Sequence, residues 1–147
     1  MGKVIGIGGI FMGSGDPAAT KDWYVRVLGL EVNEYGGFAF LHRDSAEAFP
    51  EGARTIFAPF DAGSDYFAPS ELPYMINLIV NDLGAIMARC RAEGVVEIQP
   101  SEVHDYGRFG WIMDPDGRKI ELWQPPSQVA ADASRGAILG GGFPQFP

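Results

Sequence analysis

Gly107 to Trp123 reads G-R-F-G-W-I-M-D-P-D-G-R-K-I-E-L-W, and the fold is decided by how this stretch is read. Its centre, Asp114-Pro115-Asp116-Gly117, is turn chemistry. Proline presets φ at the second turn position, and glycine takes a positive φ without steric cost. The flanking runs, Phe109 to Met113 and Arg118 to Trp123, are rich in aromatic and branched residues and read as the arms of a β-hairpin. Successive strand side chains point to opposite faces, so Lys119, Glu121 and Trp123 share one face while Arg118, Ile120 and Leu122 take the other. Glu121 therefore sits mid-strand beside a tryptophan, where a solvated glutamate is not expected. It is the first candidate functional residue. If Asp114 to Gly117 is a four-residue loop, Arg108 falls opposite Trp123 and Gly110 opposite Glu121. Arg108 on that face would clamp a carboxylate or phosphate, or neutralise Glu121.

Upstream, Tyr74 to Val80 reads as a strand. Asp82 caps a helix whose Leu83, Ile86, Met87 and Cys90 share one side, and Gly94 ends it. Val95 to Ile98 is a further strand and Gln99 to Tyr106 a loop. The first half has the same grammar. Lys3 to Met12 is a glycine-weakened strand, and its glycines do not have the spacing of a dinucleotide fingerprint. Asp16-Pro17 opens a helix with Thr20, Trp23, Tyr24, Val27 and Leu28 on one stripe, stopped by Gly29. Leu30 to Asn33 and Gly37 to His42 are strands around a turn at Glu34 to Gly36, Arg43 to Gly52 is a polar loop, and Arg54 to Phe60 is a fourth strand. R-T-I from Arg54 echoes R-K-I from Arg118. Both halves thus read β-α-β-β-β, a repeat of about seventy residues.

The expected organisation is one domain over 1–125, with module one at 3–60, a Ser/Asp/Pro-rich linker at 61–73 and module two at 74–125. A tail follows at 126–147, Ala-rich and then Gly-rich, carrying Ile138, Leu139, Phe143 and Phe146. A 46% apolar and 20% charged composition suits a folded chain of 147 residues. The net charge of −8 argues against nonspecific nucleic-acid binding, which needs a basic face. The apolar runs are too short to span a bilayer, and no charged-then-apolar leader opens the chain, so no membrane partner and a cytoplasmic location are expected. The single cysteine, Cys90, rules out an internal disulfide framework and reads as a core residue.

Two β-α-β-β-β units closing on D-P-D-G-R-K-I-E-L-W resemble the vicinal oxygen chelate superfamily, the glyoxalase, bleomycin-resistance and extradiol-dioxygenase relatives. W-Y-V-R-V-L-G-L from Trp23 resembles that family's first-helix ending, and I-V-N-D-L from Ile79 its second-half opening. The resemblance covers Lys3 to Pro125 and implies an α+β fold in which two βαβββ modules curl a mixed sheet around a cavity. It also implies metal ligands on the first and last strands of each module in metal-dependent members. Carried over by position, Glu121 matches, whereas Phe57, Gly9 and Met75 fall on the other three positions. None of those three ligates a hard or borderline divalent ion. No cofactor is therefore expected. The alternative is a rearranged Zn, Ni, Mn or Fe site from His42, His104 and Glu121. Without metal, either histidine or Glu121 could move a proton.

The leading functional expectation is a bleomycin-resistance-like protein that traps a planar or cationic small molecule in an acidic cleft walled by Phe38, Phe40, Phe57 and Trp123. A metal-dependent lyase, isomerase or dioxygenase is the second. A non-catalytic structural or regulatory dimer, its cavity filled by its own side chains, is the third. Neither a nucleophile–base pair nor a full metal constellation is visible, so the residues leave open whether any reaction occurs. The resemblance also implies a homodimer.

Overall fold

The computed structural model describes residues 1–126, so the expected tail lies outside the described residues apart from its first position. Along the chain come α1 (Pro17–Leu28), α2 (His42–Ala48), β1 (Ile76–Ile79), α3 (Leu83–Ala92), β2 (Glu102–His104), β3 (Gly107–Met113) and β4 (Lys119–Gln124). The strands form one sheet in the order β1-β4-β3-β2. β1 runs parallel to β4, and the other two pairings are antiparallel. From β1 onward the chain is therefore a complete β-α-β-β-β unit.

The two long helices form where their caps allow. The Asp16 carboxylate accepts from the Ala19 N–H at 3.1 Å, Pro17 takes the first helical position, and Gly29 closes α1 in the left-handed region at φ 71°. A side chain at Gly29 would also have to displace the Arg89 guanidinium. α3 starts in the same way, with Asp82 accepting from Ala85. Tyr24, Val27 and Leu28 of α1 meet Leu83, Met87 and Cys90 of α3 over Ile112, Ile120 and Leu122 of the sheet, and this is the main core. The opposite sheet face buries Phe109, Trp111 and Trp123. β4 thus alternates as its sequence requires, aliphatic residues towards the helices and Lys119, Glu121 and Trp123 away from them.

The first half differs from its sequence-based expectation. The expected strands at 3–12, 30–33, 37–42 and 54–60 are not part of the hydrogen-bonded sheet. Their glycines and their proline weaken strand pairing, and many of their apolar side chains point to solvent: Val4, Ile5, Phe11 and Phe57 are each at least 90% exposed. The turn at Glu34 to Gly36 does form, with the Asn33 N–H donating to the Gly37 carbonyl at 2.7 Å and Gly36 at φ 82°. His42 does not end a strand; it begins α2, and the expected polar loop after it is mostly this helix. In the second half the strand expected at Val95 to Ile98 is irregular, and the loop expected at Gln99 to Tyr106 contains β2.

The hairpin turn joins the halves. Arg118 is 2% exposed and donates to Asp114 at 2.8 Å, Asp116 at 3.2 Å, the Tyr74 hydroxyl at 2.7 Å and the Gly13 carbonyl. Tyr24 of α1 donates to Asp114 at 2.7 Å and Thr20 to Asp116 at 2.7 Å. Thr20 and Ser14 hydrogen bonds hold the Asp116 carboxyl down at about 2. Burial and the adjacent Asp114 push the Tyr24 phenol well above its usual value.

Candidate functional site

Glu121 stands at the centre of the sheet face that the helices leave free. Its residue is 1% exposed, and its carboxylate accepts three hydrogen bonds: from the Trp111 indole at 2.7 Å, the Tyr66 hydroxyl at 2.7 Å and the Asn77 amide at 2.8 Å. The sheet supplies two of these donors. Trp111 lies directly across the hairpin on β3, and Asn77 directly across on β1. Tyr66 comes from the irregular 61–73 segment. Around them Phe109 and Trp111 stack 6.2 Å apart and Phe109 and Trp123 6.4 Å apart, while the Trp123 indole donates to the Tyr106 carbonyl.

Lys119, two residues before Glu121 on the same face, is 4% exposed. Its ammonium donates to the Tyr66 carbonyl at 2.6 Å and lies 5.1 Å from the centre of the Tyr66 ring. Burial lowers its pKa, against the pull of Glu121 and Asp65. The Tyr66 phenol is displaced upward by burial and by the Glu121 charge, so it remains a donor.

The register corrects the placement of Arg108. Asp114 and Arg118 close a loop of only three residues, Pro115, Asp116 and Gly117, with the Asp114 N–H donating to the Arg118 carbonyl and the Gly117 N–H to the Asp114 carbonyl. Gly117 at φ 83° supplies the left-handed residue that such a loop requires. Compared with a four-residue loop, the pairing shifts by one residue and exchanges faces. Trp111, not Gly110, therefore opposes Glu121, and Arg108 pairs with Gln124, exposed and on the face away from Glu121. Gly110 instead lies under Met87 and Leu83 of α3.

The remaining candidates separate. Trp123 belongs to the Glu121 face, but Phe38 packs on the helix side of the sheet, with its ring 5.8 Å from Tyr24. Phe40 and Phe57 are 62% and 90% exposed. His104, exposed on β2, stacks on Tyr106 at 4.9 Å and contacts Glu102 at 2.9 Å, and its ring centre is 6.0 Å from Phe109. His42 is exposed at the start of α2. Sequence reasoning placed Lys119 on the Glu121 face without giving it a role, and it missed Trp111, Asn77 and Tyr66. Of the three missed, Asn77 left a signal, a lone amide in the apolar run I-N-L-I.

These residues do not fit the metal centre that the resemblance implies. The groups around Glu121, the Trp111 indole, the Tyr66 hydroxyl and the Asn77 amide nitrogen, each turn a proton towards the carboxylate rather than a lone pair towards a shared ion. Gly9 has no side-chain donor, and Phe57 and Met75 offer none of the oxygen or imidazole ligands such an ion takes. Among the described residues, no group of three or more His, Cys, Asp or Glu side chains is placed to hold an ion. A groove of about 600 Å³ lies elsewhere, lined by Trp23, Val95, Val96, Ile98, Met113 and Pro115 among others; no partner of Glu121 borders it.

A family profile described as Glyoxalase/Bleomycin resistance protein/Dioxygenase superfamily matches residues 6–122. The chain belongs to this superfamily. Its α+β fold, with the β-α-β-β-β unit complete in the second half, agrees with that membership. Among solved structures it is similar to a superfamily member from Sphaerobacter thermophilus, with 22% identity over 76% of this chain and 90% of that one at a TM-score of 0.43. It is also similar to a glyoxalase/dioxygenase from Nostoc punctiforme, with 18% identity over 86% and 99% of the two chains at a TM-score of 0.49. TnmS3, an antibiotic binding protein from Streptomyces sp. CB03234, shares 23% identity over 76% and 88% at a TM-score of 0.46. No curated protein gives a significant match. No described helix is long and apolar enough to cross a membrane.

Proposed function

We propose that this superfamily member binds a small aromatic molecule on the sheet face around Glu121, without the metal centre of its metal-dependent relatives. One observation carries this reading. A buried carboxylate, set in a wall of Phe109, Trp111 and Trp123, accepts from three neutral donors, while the Lys119 ammonium on the same face donates to the Tyr66 carbonyl instead. A buried charge with neutral hydrogen-bond donors around it is costly to a fold, and it gives a ligand with a donor or a positive charge something to gain. The aromatic wall supplies stacking area and the negative ring faces that attract a cation. Compared with the cleft expected from sequence, the acidic centre stays at Glu121 and the wall moves from the first-half phenylalanines to β3 and β4.

A thermal-shift screen with planar aromatic and cationic compounds, followed by calorimetry on the hits, tests the proposal. A ligand at a hundred times its Kd stabilises the folded state by about 2.7 kcal/mol, which a melting curve resolves. Glu121→Gln, checked for an unchanged circular dichroism spectrum, should weaken each hit at least tenfold. Equal affinity in the variant would retire the site. The same reading includes a homodimer. The exposed Val4, Ile5, Phe11 and Phe57 give the first half an apolar surface of the kind that associates, and sedimentation showing only monomer at micromolar concentration would remove that part.

A further inference from the structure

We propose that the segment from Asp61 to Pro73 is a strap whose Tyr66 occupies the ligand's place at Glu121, and that the ligand is accordingly a phenol that also bears a carbonyl oxygen. The inference rests on the reading of Glu121 as a binding site and names the chemistry that the site selects.

The strap's polar contacts with the hairpin include three of a kind that a small molecule can replace. The Tyr66 hydroxyl donates to Glu121 at 2.7 Å, the Tyr66 carbonyl accepts from Lys119 at 2.6 Å, and the Ser70 hydroxyl donates to the Gly117 carbonyl at 2.5 Å. No helix or strand forms between 61 and 73; the segment is organised by short turns such as Ser64 to Asp61 and Ala68 to Asp65. Such a segment is held by its side-chain contacts more than by its own backbone. Tyr66 itself is half-buried, so the slot its ring fills opens to solvent.

The slot has the shape of its occupant. Lys119 and Glu121 are two residues apart on one face of β4, which sets their side chains roughly 7 Å apart. The ring of Tyr66 spans that interval, with an acceptor for its hydroxyl at one end and a donor for its carbonyl at the other. The ammonium of Lys119 also lies over the ring face at 5.1 Å. Phe60 and Phe67 complete the surroundings at 5.5 Å and 6.5 Å from the Tyr66 ring. A competing ligand must therefore offer a hydroxyl donor to Glu121, a flat ring beneath Lys119 and an oxygen acceptor at the Lys119 end. A ring without the hydroxyl would leave one oxygen of Glu121 short of a donor, a loss that discriminates strongly between otherwise identical rings.

N-acetyl-tyrosinamide carries all three features, and N-acetyl-phenylalaninamide lacks only the hydroxyl. Calorimetric titration of both into wild type, Tyr66→Ala and Tyr66→Ala/Glu121→Gln tests the assignment. Tyr66→Ala should bind the tyrosine compound at least tenfold more tightly than wild type, and at least tenfold more tightly than it binds the phenylalanine compound. The added Glu121→Gln should abolish that preference. Equal binding of the two compounds by Tyr66→Ala, or no gain over wild type, would overturn the inference. If Tyr66→Ala fails to fold, Tyr66→Phe keeps the ring and removes only the hydroxyl; its affinity for the tyrosine compound should rise, and an unchanged value would be equally decisive against the strap. A screen hit that depends on Glu121 but is no phenol would leave the binding reading standing while this inference falls.

Discussion

Two charged side chains are buried three residues apart in one hairpin, and they are satisfied in opposite ways. Arg118, at the turn, is met by two carboxylates, a phenol and a backbone carbonyl. Through Asp114 and Asp116 it also reaches Tyr24 and Thr20 of α1, so the cluster fastens the first half to the second. Glu121, mid-strand, is met by neutral donors alone. A cation between two carboxylates is electrically complete and has little to offer a ligand. A carboxylate hydrogen-bonded by neutral donors, with the ammonium of Lys119 bonded to Tyr66 instead, is geometrically fixed but only partly balanced. The first arrangement belongs to stability and the second to recognition.

The contrast is broken most severely at the turn. Asp114→Ala leaves a buried guanidinium and the Tyr24 hydroxyl without their shared acceptor, and one-sided loss of a buried pair costs about 3–5 kcal/mol. Urea unfolding should show a loss of that size, and a value below about 1 kcal/mol would reduce the cluster to the rank of a surface bridge. Glu121→Gln should cost less, about 1–3 kcal/mol, because the side chain keeps its volume and gives up charge-assisted acceptance. If it proves the more damaging of the two, Glu121 is a structural centre and the contrast is reversed.

The smallest effect is the dependence on alkaline pH. Tyr24 in one cluster and Tyr66 in the other both have phenols raised above the ordinary value of 10.0, chiefly by burial. The folded chain then keeps protons that the unfolded chain releases. Their stabilisation is complete below pH 10 and is lost as pH rises beyond it. Lys119, lowered from 10.5, works the other way, since stability from that group rises as pH climbs towards its unfolded value. Thermal melts should therefore show a falling limb above pH 10, made shallower by either Tyr24→Phe or Tyr66→Phe. An unaltered limb in both variants would mean that neither phenol is its source.

How far the sequence could be read depended on the range of the interactions involved. Asp16 and Asp82 at helix starts, Gly29 at a helix end and the Asp-Pro-Asp-Gly turn are local devices, and each acts as its chemistry predicts. The alternation of β4 was equally legible, because the period of a strand is a property of its own backbone. Register was not. Whether Gly117 closes a loop of three residues or four depends on one left-handed residue and one hydrogen bond, and that difference carried Arg108 to the wrong face and hid Trp111. The cover over Glu121 lay further out of reach. Nothing in the composition of 61–73 marks Tyr66 as the partner of a glutamate far along the chain. The first-half strand segments show the same limit, since apolar, branched residues give a tendency to extend without saying which strand, if any, they will pair with.

The parallel pairing of β1 with β4 also bears on the order in which the molecule assembles. Trp111 reaches Glu121 across a hairpin, a separation of only 10 residues, whereas Asn77 and Tyr66 reach it over 44 and 55. Hairpins close within microseconds, but joining strands on either side of a helix and a hairpin must first meet the entropy of a long loop. An early hairpin therefore presents Glu121 with one donor of its eventual three, and the other two arrive only when β1 docks and the 61–73 segment settles. Recognition at this carboxylate is consequently a property of the finished fold, and a chain arrested at the hairpin stage has the residue without the site.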